Sequence, residues 1–134
     1  MDKGSLVEPQ IADGKRLLDR LVEEGIGVAA ACWLKEEESG YWYLYIATPL
    51  VNPDGATLEA YRRVNEVIRG MPSLYWLHPL DIKVIEPQNP IARTVQELHR
   101  RYPGASPVPF RESRIGDLNI EGAYVYPPIP APVR

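Results

Sequence analysis

The sequence has very few of the residues that form disulfides or bind structural metal ions. Its 134 residues contain one cysteine, Cys32, and two histidines, His78 and His99. One cysteine cannot form an internal disulfide, so a disulfide framework is excluded and a reducing compartment, the cytoplasm, is expected. Two histidines that are far apart in the sequence do not make a zinc site, because a structural zinc ion takes four ligands. We therefore expect neither a metal ion nor a cofactor.

Long hydrophobic runs are also lacking. The longest apolar segment, residues 26–34, has nine residues, which is about half the length that a helix needs to span a bilayer. Residues 1–5 include an acid and no apolar core segment, unlike a signal peptide. The sequence therefore predicts a cytoplasmic protein with no membrane contact.

The chain has no excess of positive charge. Its net charge is -3, with 5 Lys and Arg against 11 Asp and Glu in residues 1–60, and 10 against 7 in residues 61–134. Nucleic-acid modules are usually basic, since binding neutralises phosphates with several convergent cations. A nucleic-acid partner is therefore not expected. The asymmetry either marks two faces with different partners or reflects charge pairing between the halves.

Proline is abundant: 14 of 134 residues is about twice the ordinary usage. Most prolines separate predicted elements, and four lie in the last eight residues. The length fits one domain. We predict a single domain over residues 1–126, followed by a proline-rich tail over residues 127–134 that is extended and close to polyproline II.

Hydrophobic periodicity predicts an α+β fold in the order α-β-β-α-β-α-β(β), with a mixed sheet of about four to five strands and three helices. No glycine-rich phosphate loop follows any strand, so a nucleotide-binding doubly wound fold lacks its fingerprint. Near the C-terminus, the pattern predicts either one bulged strand or a short hairpin that turns at residues 121–122. Helices are predicted at 11–24, 58–70 and 91–102, and strands at 26–34, 41–48, 80–86 and 115–126.

Three stretches carry a family resemblance: Ala30–Leu34, Ile46–Val51 and Ile115–Tyr126, the last ending in Ala-Tyr-Val-Tyr. They resemble a family of small, functionally uncharacterised bacterial proteins that share an Ala-Tyr-x-Tyr ending. The likeness could extend over most of the chain. Its motifs are packing motifs, and the resemblance implies no activity for any residue.

The sharpest catalytic pattern is that of a magnesium-dependent nuclease, which needs an acidic residue and a D/E-x-K triplet to hold Mg²⁺ and activate water. Asp54 followed by Asp81 and Lys83 matches this pattern, and the last two would share one face of a strand. A second triplet begins at Asp13, and Asp54 is equally typical of a turn or helix cap, so chance and turn chemistry compete with this interpretation.

A thiol enzyme is a weaker hypothesis. It would need Cys32 to be activated by a nearby base, and His78 with Asp81 is the only supporting pair that the sequence offers. Cys32 lies within the most apolar predicted strand, which favours an inert core cysteine.

Aromatic and proline residues suggest a binding surface. Tyr41, Tyr43 and Tyr45 alternate along a predicted strand and share one face, which either packs under a helix or binds a partner. The preceding charged segment, 35–40, is expected to be a solvated hairpin turn. In the tail, Pro127, Pro128 and Pro130 form an extended segment of the kind that docks in aromatic grooves, unless it packs on its own domain across the tyrosine row.

The absence of a convincing catalytic constellation favours a non-catalytic interaction module that binds another protein or itself. A magnesium-dependent nuclease-like enzyme that uses Asp81 and Lys83 is one alternative. A domain that binds a small ligand between sheet and helices is the other. The sequence leaves the molecular function, the partner and the oligomeric state open.

Overall fold

The computed structural model describes residues 6, 8–52, 54, 57–71, 74–103 and 114–130. Three helices and a five-stranded mixed sheet form a single domain, which confirms the predicted α+β fold and element order. The helices are α1 (Glu8–Glu23), α2 (Leu58–Arg69) and α3 (Pro90–Arg101). The strands are β1 (Ala30–Glu36), β2 (Trp42–Ala47), β3 (Ile82–Ile85), β4 (Arg114–Ile115) and β5 (Leu118–Val125).

The strand order in the sheet is β3-β2-β1-β5-β4, with β1 in the centre. β1 and β2 form an antiparallel hairpin, and Gly40 adopts a positive φ of 71° at its turn, a conformation that glycine reaches without strain. β2 and β3 are parallel, because α2 crosses between them and returns the chain to the same end of the sheet. β5 pairs antiparallel with the other side of β1.

Each face of the sheet carries its own apolar core. On one face, Leu17 of α1 and Val64 of α2 share a core with Trp33 of β1. On the other face, Val95 of α3 shares a core with Cys32 of β1. β1 is buried on both faces, as its continuous apolar sequence predicts. No helix in the described ranges has both the length and the apolar character needed to cross a membrane.

Three predicted strands differ from the observed ones. β1 runs from Ala30 to Glu36 rather than over residues 26–34. β3 begins at Ile82, because Pro79–Asp81 form a 3₁₀ turn that is closed by the Asp81 N–H to the His78 carbonyl at 2.9 Å. The predicted strand over 80–86 is therefore too long, and Asp81 lies outside the observed β3, so Asp81 and Lys83 do not share one face of a strand as the sequence predicted. The strand β5 runs without interruption from Leu118 to Val125 and shifts register against Lys35 and Glu36, so the bulged strand is the correct alternative there. The predicted hairpin with its turn at 121–122 is wrong, because the observed turn lies earlier, at Gly116, and joins β4 to β5.

The chain leaves β5 through Tyr126, a buried residue that joins three parts of the fold. The Trp33 indole Nε1–H donates a hydrogen bond to the Tyr126 hydroxyl at 2.9 Å, and that hydroxyl donates to the Ile11 carbonyl of α1 at 2.8 Å. The Tyr126 carbonyl oxygen lies 2.8 Å from Nε2 of His99 on α3. The start of the tail is therefore attached to the central strand and to a helix on each face.

Candidate functional site

The three residues of the nuclease pattern lie in different settings. Asp54 is exposed in the loop before α2, Asp81 ends the 3₁₀ turn, and Lys83 is in β3. Partial burial raises the pKa of the Asp81 carboxyl, while neighbouring His78 acts in the opposite direction. Within the described part of the chain, no group of three or more His, Cys, Asp or Glu side chains is placed to hold a metal ion.

Lys83 instead belongs to a polar cluster across three strands, on the face that carries α3. Its Nζ lies 2.7 Å from Oε2 of Glu36 in β1 and 4.2 Å from the ring centroid of Tyr43 in β2. The same carboxylate oxygen accepts a hydrogen bond from the Tyr45 hydroxyl at 2.5 Å. Glu36 is therefore not part of a solvated turn, as the sequence suggested, but is a mostly buried acceptor with two donors.

The row of tyrosines is divided between packing and exposure. Tyr45 is 6% exposed and belongs to the core beneath α3, and Tyr43 packs against that core with Lys83 over its ring. Burial raises the pKa of the Tyr45 hydroxyl, and the hydrogen bond to Glu36 raises it further. Tyr41 precedes β2 and is exposed. For Tyr45 the structure therefore shows the packing alternative rather than a surface available to a partner.

Cys32 has the environment of a core residue. It is buried in β1 beneath α3, and this burial raises the pKa of its thiol to about 12. The His78 ring accepts a hydrogen bond from the Leu80 N–H at 3.1 Å and so caps the 3₁₀ turn. Neither residue shows the geometry of an activated nucleophile and its base, which need hydrogen-bond contact with each other.

The described part of the tail, residues 127–130, packs on its own domain but away from the tyrosine row. Pro127 lies beside α1, Ile129 packs against the core that α1 and α2 share, and Pro128 lies beside α3. Pro128 and Pro130 are exposed. Residues 131–134, which complete the predicted tail, lie outside the described residues.

The structure reveals an exposed aromatic loop that the sequence analysis missed. Six large hydrophobic side chains are exposed among the residues described, and three of them lie within residues 74–80, here called the aromatic loop. Tyr75 is 84% exposed, Leu80 is 80% exposed and Trp76 is 44% exposed. The other three, Tyr41, Leu58 and Tyr102, are scattered along the chain. Single exposed apolar residues are normal, whereas three of them within seven residues make this loop the candidate interaction site.

A buried carboxylate anchors this loop. Asp13 of α1 is 3% exposed, and its Oδ2 accepts hydrogen bonds from the backbone N–H of Trp76 at 2.6 Å and of Leu77 at 3.1 Å. Its other oxygen accepts a hydrogen bond from Arg16 at 2.5 Å. Leu77 is buried and belongs to the core. These contacts hold the backbone at Trp76 and Leu77, which lowers the entropy that binding would cost.

The aromatic loop is large enough for a short peptide but small for a folded partner. Since a large aromatic side chain offers roughly 150–250 Å², Tyr75, Trp76 and Leu80 together expose roughly 400 Å². A standard protein interface buries about 800 Å² on each partner. The loop alone provides about half of that area.

A shallow apolar cleft of about 440 Å³ lies between α1 and the start of the tail. Its volume falls within the range of small-molecule sites. Of the two charged residues at the cleft, Lys15 is paired with Asp19 at 2.5 Å. The cleft is lined by Glu8, Ile11, Ala12, Lys15, Tyr124, Tyr126 and Pro127.

Comparison of the chain with protein-family models, with curated proteins and with solved structures finds no match. The site is therefore interpreted from its own geometry.

Proposed function

We propose that this protein is a non-catalytic interaction module that binds a short, extended, proline-rich segment of a protein chain through the aromatic loop. One observation supports the proposal above all others: the Asp13 carboxylate holds the backbone of Trp76 and Leu77, while Tyr75 and Trp76 remain exposed. Preorganised aromatic side chains are the usual energetic centres of protein interfaces.

The chemistry of the loop favours an extended proline-rich ligand. Exposed Tyr and Trp side chains accept proline rings, and polyproline II segments lose little entropy when they bind. Strand addition at β3 is disfavoured, because the outward N–H of Val84 donates to the Tyr61 hydroxyl at 3.2 Å and the Ile82 N–H bonds the Pro79 carbonyl. The area of the loop also fits a short linear segment better than a folded surface.

Binding of fluorescent proline-rich peptides to the full chain tests this proposal. We expect fluorescence anisotropy to detect weak binding that falls at least about tenfold in Trp76→Ala, because removal of one interface anchor typically costs about 2 kcal/mol. Tyr41→Ala is the matched control, since Tyr41 is 46% exposed at a different place. Loss of binding in Tyr41→Ala but not in Trp76→Ala would move the site to the tyrosine row. If none of the proline-rich peptides bound to the wild-type chain, the proposal would be rejected.

The single buried cysteine fits the reducing cytoplasm, and the module is proposed to act there. The resemblance to uncharacterised bacterial proteins implies no activity and does not bear on this choice. In the described part of the chain, no group of three or more acidic side chains is placed to hold the Mg²⁺ that the nuclease alternative needs. It would be revived by Mg²⁺-dependent cleavage of DNA or RNA that disappears in Asp81→Ala.

A further inference from the structure

We infer that the segment bound by the aromatic loop is the proline-rich tail of a second copy of this chain, so that copies associate head to tail. This inference rests on the proposed function and names its ligand. The motivating observation is that one fold exposes both halves of the interaction: Tyr75 and Trp76 in the loop, and Pro128 and Pro130 in the tail.

The tail is held so that it presents these prolines. Pro127 and Ile129 are half-buried against the domain, whereas the alternating residues Pro128 and Pro130 are exposed. The start of the tail is fixed at Tyr126, whose N–H donates to the Ala31 carbonyl at 3.2 Å. The two packed residues, Pro127 and Ile129, therefore leave the two alternating prolines exposed.

The same anchoring favours contact between copies over contact within one copy. Pro128 and Pro130 do not cover the aromatic loop of their own chain, because both they and the loop remain exposed in the structure. The tail is held in this position by the hydrogen bonds of Tyr126 to β1, α1 and α3 and by the packing of Ile129 against the core. A second copy can meet the loop with both surfaces exposed as they are in the single chain.

The contact joins two different surfaces, so each copy provides one loop and one tail. Such heterologous contacts form rings when the geometry closes and open chains when it does not. The buried area is that of a peptide contact, so the association is weak, as expected of contacts that bury less than about 1,200 Å² in total. We expect assembly only at high protein concentration.

Two complementary variants of the full chain test the inference. Trp76→Ala removes the exposed indole of the aromatic loop and leaves the tail unchanged. The double variant Pro128→Ala/Pro130→Ala removes the exposed prolines of the tail and leaves the loop unchanged. All three positions are exposed, so both variants should fold, which circular dichroism and thermal unfolding would verify. In sedimentation velocity, wild type should associate between about 10 µM and about 1 mM, and each variant alone should remain monomeric. An equimolar mixture should form a heterodimer and nothing larger, because it contains one intact loop and one intact tail per pair.

Peptide binding separates failure of the inference from failure of the proposed function. A peptide of residues 126–134 should bind wild type and the tail variant, and should bind Trp76→Ala at least about tenfold more weakly. If unrelated proline-rich peptides bind but this peptide does not, and wild type stays monomeric, the function stands and the inference is wrong. If no such peptide binds, both fail. Association with anionic phospholipid vesicles that is lost in Trp76→Ala, without peptide binding, would show instead that the loop is a membrane contact.

Discussion

The hydroxyl oxygen of Tyr126 lies so close to the position of a Cβ atom added to Gly14 that the two atoms would overlap. Gly14 lies in α1, where its φ is ordinary, so its glycine is required by space rather than by backbone conformation. The Trp33 indole Nε1 also lies 3.3 Å from that position. Helix α1 can therefore approach β1 and the start of the tail only because residue 14 has no side chain.

We predict that Gly14→Ala destabilises the protein by about 1–3 kcal/mol, the usual cost of overpacking a core, although alanine favours helices. Urea unfolding monitored by circular dichroism would measure this loss. Gly27→Ala is the control, because its added Cβ would meet only Pro49, at an ordinary 3.6 Å. Gly14→Ala should cost less unfolding free energy in a Tyr126→Phe protein than in the wild type, because the clashing hydroxyl is gone. An equal cost in the two proteins would contradict the proposed clash.

Asp13→Ala should release the aromatic loop. The change leaves the N–H groups of Trp76 and Leu77 without their acceptor, which costs about 1–3 kcal/mol. Amide hydrogen exchange of these two residues should accelerate, and peptide binding should weaken although no exposed aromatic residue is altered. Asp19→Ala is the control, since this exposed ion pair with Lys15 contributes at most about 1 kcal/mol. Unchanged exchange at Trp76 would show that the carboxylate does not anchor the loop.

The Cys32 thiol should be inert in the native protein. Its burial raises the pKa to about 12, and only the thiolate is nucleophilic. At pH 8, a disulfide reagent such as Ellman's reagent should react with Cys32 only as fast as the protein unfolds. Reaction should become rapid in denaturing urea. Rapid labelling under native conditions would reveal an accessible thiol and restore the thiol-enzyme hypothesis.

Stability should fall at alkaline pH. Burial raises the pKa of Cys32 above its usual 9.0 and those of Tyr45 and Tyr126 above their usual 10.0. Above pH 9 the unfolded chain therefore binds fewer of these protons than the folded chain, so the free energy of unfolding decreases as pH rises. Each fully contributing group adds about 1.4 kcal/mol per pH unit.

Urea unfolding at a series of pH values from 8 to about 11 would measure this slope. Cys32→Ala should reduce the slope that begins near pH 9, and Tyr45→Phe should reduce the part that begins near pH 10. A free energy of unfolding that stays constant across this range would contradict the raised pKa values.

The elements with clear periodicity could be predicted from the sequence. The alternation in β2 correctly places Leu44 and Ile46 on one face and Tyr43 and Tyr45 on the other, and the continuous apolar run of β1 correctly indicates a central strand. These features depend on neighbouring residues and on burial, which local patterns report directly.

The site could not be predicted in this way, because its geometry depends on contacts between distant positions. Nothing near Trp76 in the sequence indicates that Asp13, 63 positions away, accepts its N–H. The hydrogen bond between His99 and the Tyr126 carbonyl, and the one that Lys83 donates to Glu36 across β2, likewise join residues that are far apart in the sequence. A cluster of Tyr, Trp and Leu between two prolines is the one local signal that could have pointed to the aromatic loop.

The pairing of Glu36 with Lys83 links β1 and β3, which are not hydrogen-bonded neighbours in the sheet. The short edge strand β3 is thus attached to the central strand by a side-chain bridge over β2, in addition to its backbone bonds with β2. For β3 to separate from the sheet, a mostly buried carboxylate would have to lose one of its two donors. Opening of this edge is therefore coupled to the integrity of the hairpin, and the four-residue strand β3 is more resistant to fraying than its length suggests.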